Sequence, residues 1–122
     1  MKIMIVEDHR EMSHILSIMV TYSLEGNVEI VMCESGEEAL QKYSIVKPDW
    51  VLMDIELKEM SGFVATKEIL EQDPSANIII ITSYDTLGFR QRAKSLKVKG
   101  FLPKERLSDI GKLLNDTSIT NA

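Results

Sequence analysis

The sequence predicts an α/β domain in which helices cover both faces of a five-stranded parallel sheet. Apolar runs of strand length alternate along the chain with segments in which apolar residues have helical spacing. Runs such as residues 78–81 are apolar without interruption, which is typical of strands buried on both faces. This strict alternation favours parallel strands joined by right-handed crossovers. The length of 122 residues, of which 44% are hydrophobic, fits one such domain.

Five apolar runs have the length and composition of strands. They cover residues 3–6, 28–33, 50–53, 77–81 and the shorter 100–102. Turn-forming pairs, Pro48-Asp49 and Asp73-Pro74, precede the third and fourth runs. Each run is therefore expected to form one strand of a doubly wound sheet.

Between these runs, apolar residues recur at the spacing of amphipathic helices. The positions that mark the five helices are, in order, Met12, Ile15, Leu16 and Met19; Ala39, Leu40 and Tyr43; Phe63, Ile69 and Leu70; Phe89, Ala93 and Leu96; and Leu107, Ile110, Leu113 and Leu114. Ser35 and Glu38 form a capping box for the second helix, and Gly26-Asn27 is expected to close the first. The domain is expected to cover residues 1–115, with residues 116–122 forming a polar tail or the start of a linker.

The overall charge argues against nucleic-acid binding by this domain. Asp and Glu together number 19 against 14 Lys and Arg, which gives a formal net charge of -5. No secretory leader is apparent, and no apolar run approaches the ~20 residues that cross a bilayer. The lone Cys33 lies in an apolar run and is expected to be a core residue in a reducing compartment. These features predict a cytoplasmic protein without membrane contacts.

One segment departs from this acidic balance. Between Thr86 and Lys104 there is no Asp or Glu, and the basic residues are Arg90, Arg92, Lys94, Lys97, Lys99 and Lys104. The segment is either a solvated helix face or a docking or dimerisation surface.

Polar side chains collect where the predicted strands end. In open parallel sheets, ligands bind beyond the carboxyl ends of the strands. The residues at those ends are Glu7 and Asp8 after the first strand, Asp54 after the third, Thr82 and Ser83 after the fourth, and Lys104 after the fifth. Carboxylates suit a hard divalent cation, and a hydroxyl with an ammonium can hold phosphoryl oxygens.

Several of these residues have a structural alternative. Asp8 with Glu11 could cap the first helix, Thr82 could cap the fourth, and Lys104 could be an ordinary surface lysine. Asp54 is different, because a carboxylate that ends a run of apolar residues is partly desolvated and needs a partner.

The sequence resembles the receiver domain of bacterial two-component response regulators from about Lys2 to Asn115. Five motifs carry the resemblance: the acidic pair Glu7-Asp8 after residues 3–6, Asp54 after residues 51–53, Met60-Ser61-Gly62, Thr82-Ser83, and Gly100-Phe101-Leu102-Pro103-Lys104. Each motif is weak alone, but all five in register are specific. The resemblance implies a flavodoxin-like receiver fold with strand order 2-1-3-4-5 and five helices.

The resemblance also implies roles for individual residues. Asp54 would accept a phosphoryl group, and Thr82 and Lys104 would each contact a phosphoryl oxygen. Mg²⁺ would be held by Glu7, Asp8, Asp54 and the backbone carbonyl of Glu56. Phe101 occupies the aromatic switch position of the family.

Some positions depart from the family pattern. The family commonly has a proline joined by a cis peptide after the lysine, whereas here Glu105 follows Lys104, so we expect a trans bond. Lys58 stands where a proline is frequent, so its loop is expected to be more mobile. Glu56 and Tyr84 lie where side chains could shield the phosphoryl group from water. His9 adjoins the acidic pair, but a hard-oxygen site does not call for imidazole, and no ligand role is expected for it.

The implied function is a switch controlled by phosphorylation. A sensor histidine kinase or phosphotransfer protein would phosphorylate Asp54, and the face built from the fourth helix, fifth strand and fifth helix would change to control an output such as transcription. That face is also the candidate surface for a homodimer. The domain would be no enzyme apart from its own phosphotransfer and autodephosphorylation.

Two other classes of function compete with a phosphorylation switch. The first is a pseudo-receiver that acts only as a protein-interaction module, and the complete set of acids, hydroxyl and lysine argues against it. The second is a phosphohydrolase of the haloacid-dehalogenase type. Those enzymes carry Asp-x-Asp after a strand, whereas this chain has Asp54-Ile55-Glu56 and no cap insertion.

Overall fold

A computed structural model describes residues 1–115 of the chain and shows the predicted parallel sheet. Its strands are β1 (Lys2–Val6), β2 (Glu29–Cys33), β3 (Trp50–Asp54), β4 (Ile78–Thr82) and β5 (Gly100–Pro103). They are all parallel and lie in the order β2-β1-β3-β4-β5, so the predicted order is confirmed. The expected tail, 116–122, lies outside the described residues.

Helices connect the strands in alternation, as the sequence predicts. They are α1 (Arg10–Ser23), α2 (Gly36–Val46), α3 (Gly62–Gln72), α4 (Leu87–Leu96) and α5 (Ile110–Leu114). The predicted start of α2 is confirmed, since the backbone N–H of Glu38 donates to Ser35 Oγ at 3.1 Å. The Glu38 carboxylate in turn accepts from the backbone N–H of Glu34 at 2.7 Å. Both bonds satisfy donors that would otherwise lack partners near the helix start.

Two helix boundaries differ from the prediction. Helix α1 ends at Ser23 because Leu24 already has extended backbone angles, and Gly26, with φ +86°, turns the chain only afterwards. The region predicted as one fifth helix begins as a 3-10 helix, Lys104–Asp109, and becomes α-helical at Ile110. Arg106, with φ -120° and ψ 32°, interrupts the helical geometry. Apolar spacing alone did not reveal either change of backbone conformation.

The sheet is buried on both of its faces. Alternate strand residues point to opposite sides, and two apolar clusters result. The cluster under α2, α3 and α4 includes Met4, Met53, Ile80, Phe63 and Cys33. The cluster under α1 and α5 includes Ile5, Leu52, Ile79, Leu16 and Ile110. Cys33 is therefore a core residue, as predicted.

The register of strand pairing brings the carboxyl ends of the central strands to one edge of the sheet. Val6 pairs with Met53, the residue before Asp54, and Asp54 itself pairs with Ile81. Thr82 pairs with Pro103, the residue before Lys104. The polar residues that follow the strands are thus neighbours in space.

No helix within residues 1–115 combines the length and the apolar content that crossing a bilayer demands.

Candidate functional site

Acidic side chains from β1 and β3 meet at the carboxyl edge of the sheet. Oxygen atoms of Glu7, Asp8 and Asp54 and a ring nitrogen of His9 all lie within 4.8 Å of one another. The residues Glu7 and Asp54 are only 1% and 2% exposed. The predicted convergence of these carboxylates is therefore present in the fold.

Lys104 bridges the two buried carboxylates. Its Nζ lies 3.0 Å from Glu7 Oε1 and 3.3 Å from Asp54 Oδ2. The other Asp54 oxygen, Oδ1, accepts a hydrogen bond from the backbone N–H of Glu56 at 3.1 Å. Since the Lys104 side chain is only 13% exposed, it is not an ordinary surface lysine.

Burial and charge shift the ionisation of this group. Burial, and after it the negative charge of Glu7, raises the pKa of Asp54 to about 7. Burial also acts to raise the pKa of Glu7, but its contacts with Asp54, Lys104 and the His9 backbone lower this pKa overall. Burial alone would lower the pKa of Lys104, yet its contacts with Glu7 and Asp54 raise it. Without a metal, the site thus resists carrying its full negative charge.

Two buried carboxylate oxygens have unused capacity to bind a cation. Glu7 Oε1 and Asp8 Oδ1 accept no hydrogen bond of acceptable geometry within the described part of the chain, although Lys104 and His9 lie nearby. Asp8 does not cap α1, whose N-cap is His9 and has no side-chain cap. Buried oxygens of this kind, all hard ligands, fit a divalent cation such as Mg²⁺.

His9 lies closer to this group than the sequence indicated. Its Nδ1 is 3.0 Å from Asp8 Oδ1 and 3.2 Å from Glu7 Oε2, while its side chain is 71% exposed. Its backbone N–H also donates to Glu7 Oε2 at 3.1 Å, which fixes the Glu7 carboxylate. The His9 imidazole therefore lies beside the acidic side chains, and the His9 backbone N–H orients the Glu7 carboxylate.

Thr82 belongs to this site and does not cap α4. The cap of α4 is Thr86, whose side chain accepts from the backbone N–H of Phe89 at 3.0 Å. Thr82 is fully buried, and its hydroxyl donates to Glu56 Oε1 at 2.9 Å. The sequence did not predict this bond, because the spacing of motifs does not specify the side-chain conformation of Glu56.

Gly62 lets the chain after β3 fold back against the site. A Cβ atom at this position would lie 2.0 Å from the backbone oxygen of Asp54 and 2.8 Å from Ile55 Cα. The Gly62 N–H donates to the backbone oxygen of Ile55 at 3.0 Å. Only glycine allows this approach, which fixes the loop next to Asp54.

The predicted switch residue lies beside the basic helix. Phe101 is half-buried against the core, and the Arg90 guanidinium carbon lies 4.9 Å from its ring centroid. Arg90 also pairs with Asp85, just before the segment that lacks acids, with one N–O distance of 3.0 Å. Part of the basic surface is therefore neutralised, while Arg92 stacks 4.6 Å from the Phe63 ring centroid.

The loop after β5 follows the expectation drawn from Glu105. No cis peptide bond occurs within residues 1–115, so the Lys104–Glu105 bond is trans. Lys104 is the first residue of the 3-10 helix, and this placement directs its side chain to the two acids. Lys58 in the β3–α3 loop is exposed.

Asp54→Asn is expected to stabilise the metal-free protein. Two like charges ~4 Å apart repel by about 4 kcal/mol at an effective dielectric near 20, and Lys104 offsets part of this, so we expect a gain of about 1–2 kcal/mol at pH 8. Because the pKa of Asp54 is raised, its carboxyl contributes stability at low pH that is lost as pH rises through about 7. The advantage of the variant should therefore grow between pH 5 and pH 8 in chelator.

Thermal melting with and without Mg²⁺ checks this prediction. Mg²⁺ should raise the melting temperature of the wild type more than that of Asp54→Asn or Asp8→Asn, because each variant has lost a ligand. Glu59→Gln, in the nearby loop and exposed, should behave like the wild type. Equal Mg²⁺ shifts in all proteins, or a destabilised Asp54→Asn in chelator, would show that these carboxylates share no metal site.

Comparison with known proteins adds independent information. A family model described as the response regulator receiver domain matches residues 3–115. The chain is 32% identical over 120 residues to the chemotaxis protein CheY of Thermotoga maritima, which covers 92% of this chain and 96% of that protein.

Other relatives extend the comparison. The chain is 34% identical over 111 residues to the uncharacterized transcriptional regulatory protein YhcZ of Bacillus subtilis, which covers 86% of this chain but 51% of that protein. It therefore spans about half the length of YhcZ. The solved structure of the response regulator protein TrrA from Thermotoga maritima, in complex with Mg²⁺-BeF, has a TM-score of 0.76 and 27% identity, covering 92% of this chain and 97% of that chain.

Proposed function

The chain belongs to the response regulator receiver domain family, and from this premise we propose that it is a switch that accepts a phosphoryl group on Asp54. The observation that carries the proposal is the bridge from Lys104 to the buried Glu7 and Asp54. A nucleophile, a cation and a hydroxyl at neighbouring strand ends form the set that phosphoryl transfer to a carboxylate needs.

The reaction forms one bond and breaks another at phosphorus. A carboxylate oxygen of Asp54 attacks the phosphorus of a phosphohistidine, a P–O bond forms, and the P–N bond to the histidine breaks. The donor histidine leaves with the electron pair of that bond and takes up a proton. Lys104 neutralises negative charge on the phosphoryl oxygens, and the hydroxyl of Thr82 donates to one of them after transfer.

A divalent metal fits the same carboxylates. Mg²⁺ held by Glu7, Asp8, Asp54 and the backbone carbonyl of Glu56 would supply positive charge to the transferring phosphoryl group. The unsatisfied oxygens of Glu7 and Asp8 support this assignment. So does the Mg²⁺-BeF complex of TrrA, which is a relative of similar fold.

The partner of this switch is a sensor histidine kinase or a phosphotransfer protein. The face formed by α4, β5 and α5 carries the output, either as a docking surface or as a homodimer interface. Similarity to YhcZ, described as a transcriptional regulatory protein, supports transcription as the controlled process. The domain itself catalyses only its own phosphorylation and dephosphorylation.

Phosphorylation by a small donor tests the proposal. With Mg²⁺ and acetyl phosphate, intact-mass spectrometry should find one added phosphoryl group on the wild type and none on Asp54→Asn. Asp49→Asn is the matched control, because Asp49 immediately precedes β3 at the end of the strand opposite Asp54, and this variant should be labelled like the wild type. Labelling that persists in Asp54→Asn or in chelator would exclude Asp54 as the metal-dependent acceptor, and no labelling at all would favour a protein-interaction module.

Phosphorylation should also change the distant face. The resulting acyl phosphate carries a charge of about -1.5 to -2, by analogy with other phosphoresidues, in place of the charge of the Asp54 carboxylate, and it draws in Thr82 and Lys104. Phe101 then rotates into the space that Thr82 leaves. Amide chemical shifts should change across residues 86–115, and changes confined to the neighbourhood of Asp54 would contradict this switch.

A further inference from the structure

Glu56 holds the hydroxyl group of Thr82 through its side chain. Thr82 Oγ1 donates to Glu56 Oε1 at 2.9 Å, and the backbone N–H of Ser83 donates to the same oxygen at 3.0 Å. The hydroxyl oxygen of Thr82 also accepts from the backbone N–H of Tyr84 at 3.0 Å. A hydroxyl has one proton to donate. Thr82 therefore cannot donate to Glu56 and to a phosphoryl group on Asp54 at the same time.

We propose that Glu56 is a positioning residue that latches Thr82 and sets how readily the unphosphorylated domain switches. The inference rests on the proposed function, since it concerns phosphorylation at Asp54. Thr82 is 0% exposed, so its hydroxyl needs a protein partner in the resting state. Glu56 is the nearer acceptor at 2.9 Å, since the backbone oxygen of Tyr84 lies 3.5 Å from Thr82 Oγ1. Switching exchanges the Glu56 carboxylate for a phosphoryl oxygen.

The position of Glu56 connects the latch to the acceptor. Its backbone N–H donates to Asp54 Oδ1 at 3.1 Å, while its side chain contacts Thr82 on the neighbouring strand. The loop after β3 thus contacts both residues that handle the phosphoryl group. A carboxylate acceptor makes the bond to Thr82 stronger than a neutral acceptor would.

The latch lowers the affinity of the resting domain for a phosphoryl group. Breaking the bond between Thr82 and Glu56 uses part of the interaction free energy that the phosphoryl group supplies. Removal of the Glu56 side chain should therefore tighten binding of a phosphoryl mimic by about tenfold, the size of one hydrogen bond. A carboxylate near the phosphoryl group would also repel it, so the experiment must separate these two effects.

A double-mutant cycle with beryllofluoride makes that separation. The affinity of the full chain for beryllofluoride with Mg²⁺ is measured by amide chemical-shift titration in Glu56→Ala, Thr82→Val and the double variant. Glu56→Ala should bind about tenfold more tightly than the wild type when Thr82 is present, and should have no effect in the Thr82→Val background. Glu56→Gln, which keeps an acceptor for the hydroxyl, should fall between the wild type and Glu56→Ala.

Glu59→Ala is the control for charge alone. Glu59 lies in the same loop and is exposed, and its side chain makes no hydrogen bond or ion pair with any residue from 1 to 115 that the structure describes. This variant should bind beryllofluoride like the wild type. Melting temperatures of all variants are measured in parallel, because a merely structural role for Glu56 would change stability and leave the affinity unchanged.

The outcomes distinguish the latch from the function on which it rests. An equal gain from Glu56→Ala in both Thr82 backgrounds would show that Glu56 acts by charge repulsion, and it would overturn the latch. An unchanged affinity in Glu56→Ala would overturn it as well. In both cases the wild type still binds beryllofluoride, whereas a wild type that does not bind it would overturn the phosphorylation switch together with the latch.

Discussion

Lys104→Met is expected to destabilise the metal-free protein by about 3–5 kcal/mol at pH 8. The ammonium lies 3.0 Å from Glu7 Oε1 and 3.3 Å from Asp54 Oδ2, and these acidic side chains are 0% and 1% exposed. Methionine keeps an unbranched apolar chain but leaves both carboxylates without their cation. In chelator the melting temperature should fall by on the order of 10 °C.

Two conditions should reduce this loss of stability. At pH 5 the deficit should shrink, because the pKa of Asp54 is raised to about 7 and a protonated carboxyl needs no cation. Mg²⁺ should stabilise Lys104→Met more than the wild type, since it binds the same carboxylates without competition from lysine. Lys58→Met, in the exposed loop after β3, is the control and should melt like the wild type. If the loss of stability in Lys104→Met were the same at both pH values and with or without Mg²⁺, Lys104 would act through packing and not through charge.

Gly62→Ala is expected to destabilise the fold by about 3 kcal/mol or more. The added methyl group would lie 2.0 Å from the backbone oxygen of Asp54, and backbone atoms cannot rotate away as a flexible side chain can. Either α3 moves outward or β3 shifts, and both change the position of Asp54. Denaturant unfolding should show the loss of stability, and labelling by acetyl phosphate should fall with it.

Gly88→Ala provides a control of opposite sign. Gly88 lies in the first turn of α4, and a Cβ atom there would meet nothing within 4 Å. Alanine favours helix, so this variant should be unchanged or more stable by up to about 1 kcal/mol. If both glycine variants were equally stable, the close approach at Gly62 would not constrain the loop beside Asp54.

Strand positions could be predicted because apolar periodicity leaves few alternatives, whereas the strand order was implied by the resemblance to receiver domains. A continuous apolar run such as 78–81 has to lie in a buried parallel sheet. Once the strands are parallel, residues after them share one edge, and so Asp54 and Lys104 were correctly expected to meet. The alternation of apolar and polar residues thus determined both the layers and the location of the site.

Side-chain partners could not be predicted in the same way. The bond between Glu56 and Thr82 depends on a rotamer and on a loop path that no periodic pattern specifies. The short distance between His9 and the acidic side chains could not be predicted either. It depends on the local conformation of the chain after β1, where the His9 backbone N–H donates to the Glu7 carboxylate. The 3-10 segment after β5 is interrupted at Arg106, whose backbone angles have no sequence signature.

The chemical identity of the phosphorylated residue is the most direct test of the proposed switch. After reaction with acetyl phosphate and Mg²⁺, borohydride reduces an aspartyl phosphate to homoserine, and peptide mass spectrometry locates the reduced residue. We predict homoserine in place of Asp54, with Glu7 and Asp8 unchanged and no reduction in a sample treated with chelator. Reduction at Asp8 or at any other acidic residue, with Asp54 intact, would contradict the account.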